Sequence, residues 1–142
     1  MALPATDTFT TETTNKALTT YSANWTLNLN DFQVYHTPDT CGANSAYNEC
    51  AAHWNTDSFN DAQYASCVIA AVSPGYNAAI GVSLRCDTGG DDYYYLFYLD
   101  CFTDTWYVGE IINGAWNQLG SDSHTATTND ELYLEIDSSD NI

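Results

Sequence analysis

The sequence predicts an all-β protein built as an antiparallel sandwich or barrel. Three observations predict it. Apolar and polar residues alternate over short runs, most plainly in Leu132-Tyr133-Leu134-Glu135-Ile136, which is the period of a half-buried strand. Turn signals such as Pro74-Gly75 and Asn113-Gly114 separate the runs, at the spacing of a sandwich or barrel. Aromatic residues make up 14% of the chain, with eleven Tyr and four Trp, enough bulk to fill the space between two sheets. No helical period competes, and 142 residues read as a single domain, 1–142, with a sizeable core.

Taken in order, residues 1–31 read as a Thr-rich lead-in, with an edge strand over Thr6 to Thr10 around Phe9 and a short run at Asn24-Trp25-Thr26-Leu27. Phe32 to His36 alternates as a strand and is stopped by Pro38, which cannot donate to a ladder. Residues 37–61 are loop-like, with a helical turn near Ser45 to His53. Gln63 to Val72 is a strand with Tyr64, Ser66 and Val68 on one face and Ala65, Cys67 and Ile69 on the other. Ala79 to Cys86 follows, with Ile80, Val82, Leu84 and Cys86 inward.

The chain is organised around what comes next. Tyr93 to Leu99 and Trp106 to Ile112 are rich in aromatic and β-branched residues, which suit a pleated surface. Asn113-Gly114 then turns the chain into Ala115 to Leu119, since Asn-Gly supplies the two positive φ angles of a type I′ hairpin. Gly120 to Asp130 is polar, and Leu132 to Ile136 is the last strand.

Charge removes whole classes of function. Lys16 and Arg85 stand against nineteen acids, for a net charge of −17. Phosphate contacts need clustered Lys and Arg, so nucleic acid is not a partner, and anionic membrane surfaces are disfavoured. No apolar run is long enough to insert into a bilayer. The N-terminus lacks a basic region followed by an apolar run and does not read as a signal peptide. Copies of such a chain repel, so assembly would need salt, divalent cations or large apolar contacts.

Five cysteines are an odd number, with no Cys-x-x-Cys pair and no zinc spacing. Cys41 and Cys50 flank a short polar loop where a local disulfide is one reading. Small buried hydrophobes are the other reading for the thiols, and an extracellular or virion setting would favour bridges.

The order of motifs carries a resemblance. Asp7-Thr8-Phe9, Trp25-Thr26 and Phe32 to Val34 are followed by Asp61-Ala62-Gln63-Tyr64-Ala65 and Gly81-Val82-Ser83-Leu84-Arg85. A Tyr-Tyr-x-Leu strand, Asn113-Gly114-Ala115-Trp116-Asn117-Gln118-Leu119-Gly120 and Leu132 to Ile136 complete the series. This order resembles the concanavalin A-like, laminin G-like jelly-roll domains of phage virion and bacterial extracellular proteins, over nearly the whole chain. The resemblance implies two packed antiparallel sheets, one concave. It also implies an antiparallel jelly-roll β-sandwich lacking its last strands. Such domains continue past the Leu-x-Leu-Glu-Ile strand, whereas this sequence stops at Asp140-Asn141-Ile142. The expectation is an unpaired sheet edge, a pairing site for another chain.

Candidate chemistry is sparse. Glu135, Asp137 and Asp140 partly match the carboxylate signature of laminarinase-type glycoside hydrolases on the same fold, where paired carboxylates attack a glycosidic bond. A solvated strand end explains them more simply. His36, His53 and His124 have no metal spacing and adjoin no nucleophile motif. Asp87, Asp91 and Asp92 crowd one loop and Asp100 and Asp104 another; either suits Ca2+, which takes carboxylate and carbonyl oxygens, with Asp87, Asp91 and Asp92 the candidate ligands, although acids that solvate turns are the simpler reading. Asn24 begins a glycosylation sequon and Asn48 its rarer cysteine form. Tyr94 and Trp106, with Arg85 as hydrogen-bond partner, are the candidates for stacking on a sugar. In an acidic chain, however, Arg85 more simply pairs with a carboxylate.

The expected role is a non-catalytic structural or interaction subunit of an extracellular or virion assembly, such as a fibre, filament, decoration or tail-associated protein. Its partners would be its own copies, other virion or surface proteins, or glycans. The alternative is a carbohydrate-binding module. The third reading is a glycoside hydrolase using Glu135, Asp137 and Asp140.

Overall fold

The computed structural model describes residues 5–10, 13–43, 50–56, 59, 62–72, 79–86, 93–139 and 141–142, with the backbone alone for 93–95. The protein is all-β, its paired strands are antiparallel, and it divides into two compact units, Met1–Phe59 and Asn60–Ile142.

The first unit contains β1 (Lys16–Ala17), the short helix α1 (Leu18–Tyr21), β2 (Trp25–Leu29), β3 (Phe32–Tyr35), β4 (Thr40–Ala43) and β5 (Ala51–Trp54). β1, β3 and β4 form one sheet in that order, and β2 pairs with β5. Among its described residues Leu18 and Val34 are buried. Across the β2–β5 pair, Trp25 faces Trp54 edge to face, with centroids 5.4 Å apart, a favoured geometry for aromatic quadrupoles.

Three expectations are corrected in this unit. Phe9 is not in a strand: its φ is +52°, and its N–H donates to Asp7 Oδ1 at 2.9 Å. Asp7 also accepts from Tyr21 Oη (2.7 Å) and Trp25 Nε1 (2.9 Å), so one carboxylate gathers Phe9, Tyr21 and Trp25. A local side-chain bond has outcompeted the ladder. The loop-like stretch 37–61 holds β4 and β5. The helical turn placed near Ser45 to His53 falls mostly outside the described residues, and from Ala51 onward it is part of strand β5 (Ala51–Trp54).

The second unit is a two-layer sandwich. Its strands are β6 (Gln63–Val68), β7 (Ala79–Cys86), β8 (Tyr93–Asp100), β9 (Thr105–Ile112), β10 (Ala115–Ser123) and β11 (Glu131–Ile136). One layer runs β10-β9-β8-β7 and the other is the β11–β6 pair. Asn113 (φ +52°) and Gly114 (φ +72°) make the hairpin between β9 and β10, with Ala115 opposite Ile112. β6 is shorter than expected, β10 longer, and β7 has the predicted bounds.

The β11–β6 layer lies over β7 and β8. Leu132, Leu134 and Ile136 point inward against Val82, Leu84, Leu99 and Ile69, with Cys101 and Ala126 completing the core. Leu99 and Leu132 are fully enclosed, and each such side chain stabilises the fold by roughly 1.5–3 kcal/mol. Arg85 has φ +51°, and its N–H donates to Gln63 Oε1 at 3.3 Å, tying the end of β7 to β6.

Candidate functional site

The four-stranded sheet is wider than the layer that covers it. Phe97 on β8 and Trp106 and Val108 on β9 pack only in part against the core. β10 beyond them is exposed along its length except at Gly120. Register puts Gly120 opposite Val108 and Asp122 opposite Trp106, so these side chains share one face. Together Phe97, Trp106, Val108, Gly120 and Asp122 line a shallow, open pocket of about 170 Å³.

The sequence builds this pocket through two departures from regular strand. A bulge between Gln118 and Gly120 leaves Leu119 without a counterpart on β9, and Leu119 is 53% exposed. Bulges bend edge strands in this way. At Gly120, a Cβ would come within 3.3 Å of Val108 Cγ1, so the glycine keeps the floor open.

Trp106 forms the wall. Its ring stacks on Phe97 at 5.1 Å and 19°, and meets His124 at 4.8 Å and 43°. His124 Nε2 lies 3.1 Å from Asp130 Oδ2. Asp130 accepts the Thr127 N–H and Oγ1–H, both at 2.8 Å. These Thr127 bonds, and then His124, hold its carboxyl below the usual carboxylate range. Main-chain bonds between Ile69 and both Asn129 and Asp130 anchor the loop to the chain beyond β6. An aromatic wall, a glycine floor and a rim carboxylate suit contact with an apolar or ring-bearing surface.

The other expected site residues are dispersed. Tyr94 lies on β8, and its side chain is outside the described residues, as are Asp87, Asp91, Asp92, Asn48 and Asp140. Arg85 is half-buried at the end of β7. Asn24 is half-buried, and its Oδ1 accepts from Thr56 Oγ1 at 2.9 Å. Glu135 is exposed, accepting from Tyr133 Oη at 2.8 Å. Asp137 is occupied within a turn: Oδ1 accepts the N–H groups of Ser139 (2.7 Å) and Asn141 (3.0 Å), and Oδ2 accepts Asn141 Nδ2 (2.9 Å). Among the described residues no three His, Cys, Asp or Glu side chains are grouped to hold a metal ion.

All five cysteines are free thiols. Cys50 Sγ donates to the Asp31 carbonyl at 3.3 Å. Burial, and then the neighbouring Asp7, Asp31 and Cys50, push the Cys41 thiol up to about 12.

Phe97 and Asp130 carry no signal in the sequence, and His124 stands there only as a histidine without metal spacing. Strand alternation alone would group Phe97 with Leu99, but only the β8–β9 register sets it beside Trp106. No family model, curated protein or solved structure matches the chain. Fold and site together define an all-β protein of antiparallel sheets with an open aromatic face. Among the described residues no helix is long and apolar enough to cross a membrane.

Proposed function

We propose that the chain is a non-catalytic interaction subunit of an extracellular or virion assembly, working by contact between its own copies. The observation that carries this reading is the mismatch of layers: the Phe97–Trp106–Val108 strip and β10 extend past the β11–β6 cover. A second copy seated there would bury aromatic surface that is otherwise half-wet, the strongest available driving force in so acidic a chain. Among the described residues β11 pairs with β6 alone and β10 with β9 alone, so both strands also offer edges. The jelly-roll order of motifs supports the same reading. Calcium held by Asp87, Asp91 and Asp92 would lower the repulsion that −17 imposes.

The test is the solution mass of the whole chain by light scattering, with negative-stain microscopy, in sodium and in calcium. Reversible assembly is expected, favoured by calcium. It should be weakened in Leu119→Asp, which puts a charge on the exposed strand β10, and in Trp106→Gln with its fold confirmed. Assembly that neither substitution affects would move the interface elsewhere.

A further inference from the structure

The smaller layer of the second unit turns an aromatic face outward. Register sets Glu131 opposite Val68, Tyr133 opposite Ser66 and Glu135 opposite Tyr64. Alternation puts all six on the side away from the core, because Leu132, Leu134 and Ile136 point into it. Val68 is 60% exposed, Tyr64 54% and Tyr133 48%. The two tyrosines stack diagonally across the pair, with centroids 6.0 Å apart and 21° between the ring planes. Large apolar side chains grouped on a solvent face mark an interaction surface.

Charge decides what fits there. Along β11 the outward order is Glu131, Tyr133, Glu135, so a carboxylate stands on each side of the ring. Tyr133 Oη donates to Glu135 Oε2 at 2.8 Å. That bond first, then desolvation and nearby charges that include Glu131, push the Tyr133 hydroxyl above its usual range. Asp130 and Asp137 add negative charge at the two ends of the strand, each held in its own turn by Thr127 and by Asn141. Among the described residues no basic side chain shares these rows. Such a face repels anions and attracts a cation, and guanidinium suits it best, since it lies flat on a tyrosine ring and pairs with a carboxylate at its edge. The two glutamates are about 13 Å apart along the strand, too far for one small cation to bridge. An extended chain matches that spacing: residues i and i+4 reach both carboxylates while residue i+2 lies over the ring between them. A second copy cannot supply this segment, because its basic residues are Lys16 and Arg85 alone in a chain of net charge −17.

We infer that this face binds an extended basic segment of a different protein. One arginine pairs with Glu131 and a second, four residues on, with Glu135 over the Tyr64 ring. The residue midway between them rests on Tyr133 and Val68. The role goes beyond contact between copies, uses the other layer, and does not require assembly.

Fluorescence anisotropy tests it, with the labelled peptide Gly-Ser-Arg-Thr-Val-Thr-Arg-Ser-Gly titrated with the whole chain at about 0.15 M salt. The same peptide with Glu in place of both Arg is the comparator, and spermine is an unlabelled competitor. Saturable binding of the Arg peptide is expected, with none of the Glu peptide. Glu131→Gln together with Glu135→Gln, both on exposed side chains, should weaken binding by about fivefold to tenfold. Tyr64→Leu should weaken it by about twofold to fivefold, through loss of the ring face. Asp39→Asn together with Glu110→Gln removes the same charge elsewhere and should bind as the parent does. The inference is overturned if the Arg peptide does not bind, or if the two charge-matched double variants weaken it equally, since the attraction would then be to the acidic chain at large. It is also overturned if spermine displaces the peptide as well as unlabelled peptide does, since the face would then take a small polycation. Peptide binding by a strictly monomeric chain would instead remove the assembly reading and leave this one standing.

Discussion

Trp106 and His124 lie ring against ring, centroids 4.8 Å apart, and the same imidazole reaches Asp130 at 3.1 Å. The start of β9 is thereby joined to the loop before β11. Ala126, buried in the core, secures that loop from beneath. The contact is partly exposed, so the hydrogen bond to Asp130 contributes little by itself. Its effect is to fix the wall of the open pocket.

Acid should loosen this arrangement. Asp130 and Asp137 are held below the usual carboxylate range by hydrogen bonds, chiefly from Thr127 and from Asn141. Asp100 is also lowered: burial would raise it, but the N–H groups of Phe102 and Thr103 outweigh that. A carboxylate whose folded value is depressed stabilises the fold above its unfolded value of about 3.9, and that stabilisation is lost as pH falls through the folded value. Relief of repulsion among the remaining acids acts in the opposite sense. The difference between parent and an Asp130→Asn, Asp137→Asn variant isolates the effect. The parent's advantage in urea midpoint should shrink from about pH 5 to about pH 2. A constant difference would show that these bonds are not charge-dependent.

Adjacent residues of β11 should behave oppositely. Leu132 is enclosed in the core and Tyr133 is outward, stacked on Tyr64 with centroids 6.0 Å apart. Leu132→Ala should cost about 2–5 kcal/mol, and Tyr133→Ala about 1 kcal/mol. Equal losses in urea unfolding would mean that β11 does not present these faces.

Thiol reactivity should follow burial. Burial raises Cys67, Cys86 and Cys101, and takes Cys41 to about 12 with help from Asp7, Asp31 and Cys50. Alkylation needs the thiolate. In the native protein at mildly alkaline pH, Cys41 should react with iodoacetamide far more slowly than in urea, read by peptide mass. Equal rates would contradict its buried, acid-flanked position.

Catalysis makes a cleaner negative prediction. With Asp137 committed to its turn and Glu135 on an outward face, the chain should release no reducing sugar from a glucan panel. Release that disappears in Glu135→Ala would reinstate the hydrolase reading.

The second unit was more legible in sequence than the first, for a physical reason. Asn113-Gly114 and the alternation of Leu132 to Ile136 are local signals, and the hairpin and the buried face formed as read. β4 and β5 gave no such signal: Thr40–Ala43 and Ala51–Trp54 are short and rich in small residues, and β5 is held by the distant β2. Phe9 looked like a strand residue, but its partner was the side chain of Asp7. Trp106 is legible in the sequence as a candidate ring for stacking on a ligand. Its neighbours Phe97 and His124 depended on strand register and a loop return, which no short window contains.

The open aromatic strip is proposed above as a contact between copies. Sedimentation velocity of the whole chain across a concentration series, in sodium and in calcium at matched ionic strength, tests it most directly. A mass that rises with concentration is expected, more so in calcium, and Leu119→Asp should lower it. A single monomeric species at every concentration in both salts would contradict the claim.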